Sequence, residues 1–236
     1  MTAPGFIRRG LVRAYHSYDH LPHTPYTPAQ SAILSAALAE VPERGFTKSA
    51  LAAGARAAGY LDTTPAVFHH GVFDVVRYHL YAERTRLAGL KQQIDDEEGH
   101  PQGKKVRRYV VERLRRNVGV IHRWPEALAI MATPSNAPTA LEELGLLSDE
   151  IWFLAGDESS DFEWYTKRAS LAAIYSATEL YMSQDNSVDY EMTWDFLDRR
   201  LQDAHELSKS LGSTSAWVTF AGLASLNLLR SQIARG

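Results

Sequence analysis

The sequence predicts an all-α fold, and two kinds of signal support that prediction. Apolar residues recur at helical spacing, first between Ile33 and Val41. Start and stop signals bracket these stretches, since Thr27 and Pro28 precede the first one and Gly45 follows it. The predicted architecture is a helical bundle with a helix-turn-helix unit near its N-terminus and an apolar helix at its C-terminus.

The composition excludes several classes of protein. A chain of 236 residues can bury a good core in one domain, with or without a small appendage. Its net charge of −3 argues against a globally basic nucleic-acid binder and against a disordered acidic chain. The absence of cysteine excludes disulfides, thiolate metal sites and cysteine nucleophiles. No apolar run has the length and purity of a comfortable transmembrane helix.

Residues 1–26 are predicted to be a presequence remnant followed by a linker. Arg8, Arg9 and Arg13 alternate with apolar residues, and Asp19 is the only acid among the first twenty residues. This amphipathic, arginine-rich and acid-poor pattern is typical of a mitochondrial presequence. The alternative is a disordered tail added for expression.

Residues 27–89 are predicted to form the helix-turn-helix unit and one further helix. Thr47 caps a second helix, Lys48–Ala58, and Thr64 with Pro65 begins a short third helix through Phe68. The pattern ILSAALAEVPERGFTKSALAAGARAAGY resembles the N-terminal domain of TetR-type repressors. The helix corresponding to the recognition helix, Asp62–His70, contains no Lys or Arg. Because reading a DNA groove requires such cations, the sequence argues against DNA binding.

The middle of the chain alternates between charged and amphipathic stretches. Gly71–Gly89 is predicted to be an amphipathic helix in which His79 is a structural residue, and Asp95–Gly103 a polar loop. Residues 104–211 are predicted to form the helical body. They begin with the basic segment Lys104–Arg123, interpreted as a solvated face whose counter-charge lies in a later acidic stretch. The alternative is contact with anionic lipid headgroups.

That acidic stretch, Asp149–Arg168, also carries two Trp, one Tyr and two Phe. Gly156 should lie in a tight turn, and a helix should begin at Asp161. On that helix Asp161, Trp164 and Tyr165 lie on one face, because they are spaced i, i+3 and i+4. An acid beside two exposed aromatics is typical of a protein-binding hot spot. The alternative, with similar weight, makes the aromatics core anchors and Asp161 a first-turn acid.

Residues 214–236 are predicted to form an apolar C-terminal helix. The chain carries no charge from Gly212 to Leu229, although Thr, Ser, Asn and Gly are scattered through it. Such a helix docks on its own protein, seals a dimer or lies in a membrane surface.

Several motifs together resemble the Coq-nine family of mitochondrial coenzyme Q biosynthesis proteins, in a fungal-like version. They are AALAEVPERGFTKSALAAGARAAGY, RWPEALAIMATPSN, DEIWFLAGDESSDFEWYTKR, LAAIYSATEL and QDNSVDYEMTWDFLDRR. The resemblance runs from about Ile33 to about Asp203, and the later motifs are not generic repressor motifs.

The resemblance implies a TetR-like helical fold, dimeric and without DNA binding. It implies a non-catalytic accessory protein that binds ubiquinone intermediates or other isoprenoid lipids. The expected partners are the di-iron demethoxyubiquinone hydroxylase, other coenzyme Q biosynthesis proteins, membrane lipids and a second copy, but not nucleic acid. The expected location is the matrix side of the mitochondrial inner membrane, to which the protein would bind peripherally.

The resemblance also assigns residues to these roles. The partner surface would consist of Asp149, Ile151, Trp152, Asp161, Trp164 and Tyr165. The membrane contacts would be Trp217, Phe220, Leu223 and Leu226. The apolar stripe alone suggests a lipid pocket around Met131, Leu171, Tyr175 and Met182. No nucleophile motif, phosphate loop, credible metal cluster or cofactor site is evident, so we expect no enzyme activity.

Two other functions remain open on the sequence alone. The first alternative is a TetR-type, ligand-responsive DNA-binding transcriptional regulator, against which the absence of Lys and Arg from the recognition helix counts. The second is a metalloenzyme, which would contain stoichiometric metal.

Overall fold

The computed structural model describes residues 25–61, 68–98, 101–159 and 161–210. These ranges contain α-helices, short 3₁₀-helices and turns, and no β-strand, so the predicted all-α class is confirmed. The α-helices are α1 (Pro28–Arg44), α2 (Lys48–Ala57), α3 (Val72–Thr85), α4 (Lys91–Glu98), α5 (Gln102–Arg115), α6 (Trp124–Met131), α7 (Ala137–Leu154), α8 (Asp161–Met182) and α9 (Glu191–Ser210). The 3₁₀-helices are Arg86–Leu90, Val118–Arg123 and Val188–Tyr190.

Some predictions concern residues outside the described ranges. The presequence, residues 62–67 of the recognition-like helix Asp62–His70, and the C-terminal segment 214–236 lie there. The predicted membrane contacts Trp217, Phe220, Leu223 and Leu226 therefore also lie outside the described residues. Within the described ranges, no helix combines the length and the apolar character needed to cross a bilayer.

The first two helices form a tight pair that begins as the sequence predicts. The Thr27 side chain accepts a hydrogen bond from the backbone N–H of Gln30, and the Gln30 side chain accepts one from the backbone N–H of Thr27. Thr47 caps α2 in a similar way, through Ala50. Gly54 allows α2 to approach α1 closely, because a Cβ at that position would lie 2.4 Å from the backbone nitrogen of Ala37.

Two buried clusters divide the core of the described chain. The N-terminal cluster joins α1, α2 and α3 with α6, and its largest member is the fully buried Trp124. The body cluster joins α5 with α7, α8 and α9 around residues such as Tyr109 and Leu171. The sequence assigned α6 to the body at 104–211, whereas its buried face packs on the N-terminal helices.

The basic segment differs from its predicted form in two ways. The predicted polar loop Asp95–Gly103 is largely helical, because α4 extends to Glu98 and α5 already begins at Gln102. The α5 helix is only partly a solvated face, since it buries Val106, Val110 and Arg113. Its counter-charge comes chiefly from other helices rather than from Asp149–Arg168. The pairs are Lys105 with Asp95, Arg107 with Asp198 and Arg116 with Glu83.

Candidate functional site

The candidate site is the end of the helical hairpin formed by α7 and α8. The chain leaves α7 at Leu154 and enters α8 at Asp161, with Gly156 in the turn at a φ of +82°. The predicted turn and the predicted helix start at Asp161 are therefore confirmed. The antiparallel arrangement brings Trp152, Trp164 and Tyr165 to the same end of the hairpin, which we call the hairpin surface.

An ion-pair cluster holds the two helices of the hairpin together. The buried Arg168 donates from Nε to Asp149 at 2.5 Å and from Nη1 to Asp157 at 3.0 Å. Lys167 Nζ lies 2.9 Å from Asp157 and 2.8 Å from Glu163. Three of the acids that the sequence places in this stretch are thus neutralised within the hairpin, so they stabilise its geometry.

The carboxyl of Asp157 is held in its charged form. Burial alone would raise its pKa, but hydrogen bonds from Ser159, Lys167 and Arg168 outweigh burial and hold the pKa below the ordinary value. The pKa of Lys167 is raised in turn, because its bonds to Glu163 and Asp157 outweigh the cost of desolvating the ammonium group. Both groups therefore stay charged at neutral pH.

The same cations orient the aromatic rings. The guanidinium carbon of Arg168 lies 4.1 Å from the ring centroid of Trp164. Trp164 packs edge-to-face on Tyr165, with ring centroids 4.8 Å apart and planes at 79°. Trp152 donates from Nε1 to the Lys167 carbonyl at 3.0 Å, and the ammonium nitrogen of Lys167 lies 5.3 Å from the Trp152 ring centroid. The hairpin thus presents its aromatics in fixed orientations.

The structure separates the predicted partner residues into surface and core. Tyr165 is 52% exposed and is therefore no core anchor, while Trp152 and Trp164 are half-buried. Ile151 is 0% exposed and packs in the body cluster, so it faces away from any partner. The prediction that Ile151 belongs to the partner surface is therefore wrong, because its side chain lies on the buried side of α7. The side chain of Asp161 lies outside the described side chains.

The predicted lipid-pocket residues are not brought together. Leu171, Tyr175 and Met182 are buried in the body cluster and pack directly on other side chains. Met131 instead packs at the edge of the N-terminal cluster. The spacing on α8 correctly identified an inward stripe, but that stripe fills the core.

A groove of about 600 Å³ lies at the far end of α8, between that helix and the start of α9. Tyr181 and Phe196 stack in its wall, with centroids 4.7 Å apart and planes at 7°. Leu180 and Met192 add apolar surface, while the turn around Asp185 supplies a polar edge. Sequence reasoning missed this groove, because its two walls come from different helices. The spacing of residues within one helix does not show how that helix packs against another.

A buried polar network was also missed. The Asn117 side chain accepts from Arg113 Nη1 at 2.8 Å and lies 2.8 Å from His79 Nε2. Asn117 also donates to Glu179 Oε1 at 3.0 Å, and the Tyr175 hydroxyl donates to the same oxygen at 3.0 Å. Burial and the nearby Arg113 charge lower the pKa of His79 to about 3, so the ring is neutral. The predicted structural role of His79 is consistent with this network, which joins α3, α5 and α8.

No side-chain arrangement in the described residues indicates a metal centre. Groups of three or more His, Asp or Glu positioned to hold a metal ion are not found among them. The chemistry that the hairpin surface offers is recognition by aromatic contact and by oriented charge.

Comparisons with known proteins agree with the motifs of the hairpin. The model of the COQ9 family matches residues 137–208, which include α7, α8 and most of α9. The chain is 37% identical to the Ubiquinone biosynthesis protein coq9, mitochondrial, of Schizosaccharomyces pombe over 223 residues. That alignment covers 93% of this chain and 87% of the relative.

Animal relatives match at a similar identity. The human protein, named Ubiquinone biosynthesis protein COQ9, mitochondrial, is 38% identical over 82% of this chain and 61% of its own length. The Drosophila melanogaster protein of the same name is 36% identical over 77% of this chain and 57% of its own length. The chain thus spans less than two thirds of these animal relatives but most of the yeast one. On these identities and coverages, the chain belongs to the COQ9 family.

Proposed function

We propose that this protein is a non-catalytic accessory protein of ubiquinone biosynthesis. It binds isoprenoid quinone intermediates and presents them to the di-iron demethoxyubiquinone hydroxylase. Membership of the COQ9 family supports a role in ubiquinone biosynthesis and a mitochondrial location. We propose in addition that the protein binds the lipid, that it presents this lipid and that the hydroxylase is its partner.

The observation that carries the proposal is the hairpin surface. Tyr165 is half-exposed although it is a large aromatic, and Trp164 supports it edge-to-face. Exposed aromatics held in one orientation lose little conformational entropy when a partner covers them. Aromatic residues at the centre of an interface commonly supply most of its binding energy. The Arg168 bonds to Asp149 and Asp157 supply that rigidity here.

The lipid part of the proposal follows from the chemistry of the substrate. A polyprenyl quinone is almost insoluble in water, so its transfer to an enzyme needs an apolar site and a membrane contact. The groove beside Tyr181 and Phe196, at about 600 Å³, lies within the usual range of small-molecule sites. We propose the C-terminal helix as the membrane contact, through Trp217, Phe220, Leu223 and Leu226. The protein would then act as a peripheral homodimer on the matrix side of the inner membrane.

Capture of the purified hydroxylase by wild type and by Tyr165→Lys tests the partner surface. Loss of a hot-spot aromatic costs about 2 kcal/mol or more, so we expect the affinity to fall about 30-fold. Trp164→Lys should give a similar loss. Tyr60→Lys is the matched control, because Tyr60 is 40% exposed and lies near the end of α2. Circular dichroism checks that each variant is folded.

Two results would contradict the proposal. Equal capture by wild type and by folded Tyr165→Lys and Trp164→Lys would remove the hairpin surface from the interaction. Mass spectrometry of a solvent extract from membrane-expressed protein should find an isoprenoid lipid. If the protein contains no lipid but still captures the hydroxylase, it binds the enzyme without presenting a lipid to it.

A further inference from the structure

The groove between the end of α8 and the start of α9 leaves large apolar side chains uncovered. Met192 is 56% exposed, and Leu180, Tyr181 and Phe196 line the groove with it. The stacking of Tyr181 on Phe196 gives one wall of the groove a fixed shape. Large apolar side chains that share one patch of surface commonly mark a contact with another segment or a ligand. The sequence places an apolar segment directly after α9.

The chain around this groove is acidic. From Gln184 to Asp198 the sequence contains five acids and neither Lys nor Arg. Three of these acids, Asp189, Glu191 and Asp195, are exposed and form no ion pair with another described residue. A segment that carries arginine beside its apolar residues therefore complements both the groove and its surroundings.

The C-terminal segment, residues 211–236, has this combination of charge and apolar residues. It contains two cations, Arg230 and Arg235, and no acid. Leu229 and Ile233 are spaced i and i+4, so they share one face of the helix that the sequence predicts there. Arg230 follows Leu229 directly and lies at the edge of that face. The segment can thus offer apolar contacts and a positive charge together.

The length of the chain allows this segment to reach the groove. Phe196 lies fourteen residues before Ser210, the last residue of α9, which is about 21 Å along the helix axis. Residues 211–214, Leu-Gly-Ser-Thr, have the length and composition of a short connection between antiparallel helices. A helix that begins at Ser215 and runs back along α9 reaches the level of Phe196 with Leu229, which is also fourteen residues away.

We propose that the C-terminal segment folds back as a helix antiparallel to α9 and docks in this groove. The docked pairs are Leu229 with Phe196, Ile233 with Met192, and Arg230 with Asp195. The docked helix adds a third wall to a groove that α8 and α9 leave open, and ligand sites enclose most of their ligand. This enclosure of a lipid rests on the proposed function, which assigns the groove to the isoprenoid.

Docking also gives separate roles to the two apolar sides of the C-terminal segment. Each helical residue turns the chain by about 100°, so Trp217 and Phe220 project to the side opposite Leu229 and Ile233. When Leu229 and Ile233 pack in the groove, Trp217 and Phe220 therefore stay available for the bilayer. This arrangement accounts for apolar residues on most of the circumference of the helix, because one side packs on the protein and the other meets lipid.

Cross-linking of introduced thiols tests this docking in the full chain, which has no cysteine of its own. The test variant carries Met192→Cys with Ile233→Cys, and the matched control carries Met192→Cys with Ser215→Cys. In the docked helix Ser215 lies about 27 Å from Met192 along the axis, beyond the reach of a short bismaleimide. We expect the internal cross-link to form about ten-fold faster in the test variant, because docking holds its two thiols in contact. Circular dichroism checks that both variants are folded.

Charge reversal tests whether Arg230 faces Asp195. Arg230→Asp, added to the test variant, brings two like charges together, so the internal cross-link should form about three-fold more slowly. Asp195→Arg in the same protein recreates an opposite pair and should restore the rate. Glu206→Arg is the matched control, because Glu206 is an exposed acid three turns further along α9 and should not restore it.

Three results would overturn the docking. Equal rates of internal cross-linking in the test variant and its control would show that the segment does not pack in the groove. A covalent dimer as the main product would show that a second copy fills the groove. Failure of Asp195→Arg to restore the rate, or equal restoration by Glu206→Arg, would show that Arg230 does not face Asp195.

The presence of lipid is measured separately, so the two proposals can fail independently. An internal cross-link in a protein whose solvent extract contains no isoprenoid supports the docking and contradicts the lipid part of the proposed function. An isoprenoid in the extract of a protein that forms no internal cross-link overturns the docking alone.

Discussion

At the scale of single residues, burial decides the chemistry of His79. Its imidazole is buried against the Trp124 ring, with centroids 5.2 Å apart, and Asn117 is its hydrogen-bond partner. Desolvation and the Arg113 charge both disfavour the protonated ring and lower its pKa to about 3. A histidine that titrates near pH 6.5 when unfolded thus stays neutral in the folded protein.

This neutral state makes stability depend on pH. Between pH 6.5 and pH 3 the unfolded chain binds a proton at His79 and the folded chain does not. Stability therefore rises with pH across this window and is lost as the pH falls. We expect this residue to lower the free energy of unfolding by about 2 kcal/mol at pH 5 relative to pH 7. Urea denaturation at both pH values measures the difference.

Substitution shows whether His79 causes the loss. His79→Gln keeps a polar side chain beside Asn117 but removes the titration, so the difference between pH 7 and pH 5 should shrink by that amount. His122→Gln, at an exposed histidine, should leave the difference as in wild type. An unchanged pH dependence in His79→Gln would mean that His79 is protonated or solvated in the native protein.

At the scale of elements, replacing either of two glycines of the hairpin with alanine should change the stability of the protein, in opposite directions. Gly156 adopts a left-handed φ of +82°, and its Cβ would meet nothing within 4 Å. Alanine there meets backbone strain alone, which costs about 1 kcal/mol. Gly145 lies in the middle of α7 with equally open space, so alanine should stabilise by about 0.5–1 kcal/mol. Thermal unfolding followed by circular dichroism compares the two variants. A stabilising Gly156→Ala would contradict the account of the turn.

Local signals explain how much of these elements the sequence could predict. Capping residues such as Thr27 and Thr47 act within one helical turn, so the starts of α1 and α2 were readable. The same holds for the turn at Gly156 and for the start of α8. Polar composition suggested a loop at Asp95–Gly103, but contacts with α5, including the Lys105–Asp95 pair, support a helix there.

Local signals also allowed part of the candidate site to be predicted from the sequence. The spacing of Trp164 and Tyr165 identified one helix face, and the structure leaves Tyr165 exposed. Periodicity alone could not distinguish Ile151, which is buried, from its exposed neighbours. It also could not show that Leu171 and Tyr175 fill a core rather than line a cavity. Which apolar residues meet across helices depends on tertiary packing.

At the scale of the whole molecule, charged contacts join the two buried clusters. Glu143 on α7 is buried and lies 3.3 Å from Arg84 Nη2 and 3.8 Å from Arg77 Nε, both on α3. Ile121 packs against both clusters, and Asn117 joins His79 to Glu179 across the same boundary. The sequence predicted one part of the chain to end at residue 89 and the next to begin at residue 104. Apolar and polar contacts join these two parts in the structure.

Such continuity predicts that the two clusters unfold together. Glu143→Gln removes the counter-charge of the buried Arg84 while keeping the side-chain shape. Breaking one partner of a buried pair typically costs 3 kcal/mol or more, so we expect a loss of about 3 kcal/mol. Glu40→Gln breaks the more exposed pair with Arg44 and should cost less than about 1 kcal/mol. Urea denaturation compares both variants with wild type.

Hydrogen exchange then shows how the loss is shared. If the clusters form one cooperative unit, Glu143→Gln should weaken protection equally at Val76, in the N-terminal cluster, and at Leu171, in the body cluster. Weakened protection confined to one of the two amides would show that the clusters open independently. In that case the N-terminal helices would separate from the hairpin without unfolding it, and the ion pairs of Glu143 would connect two domains that unfold separately.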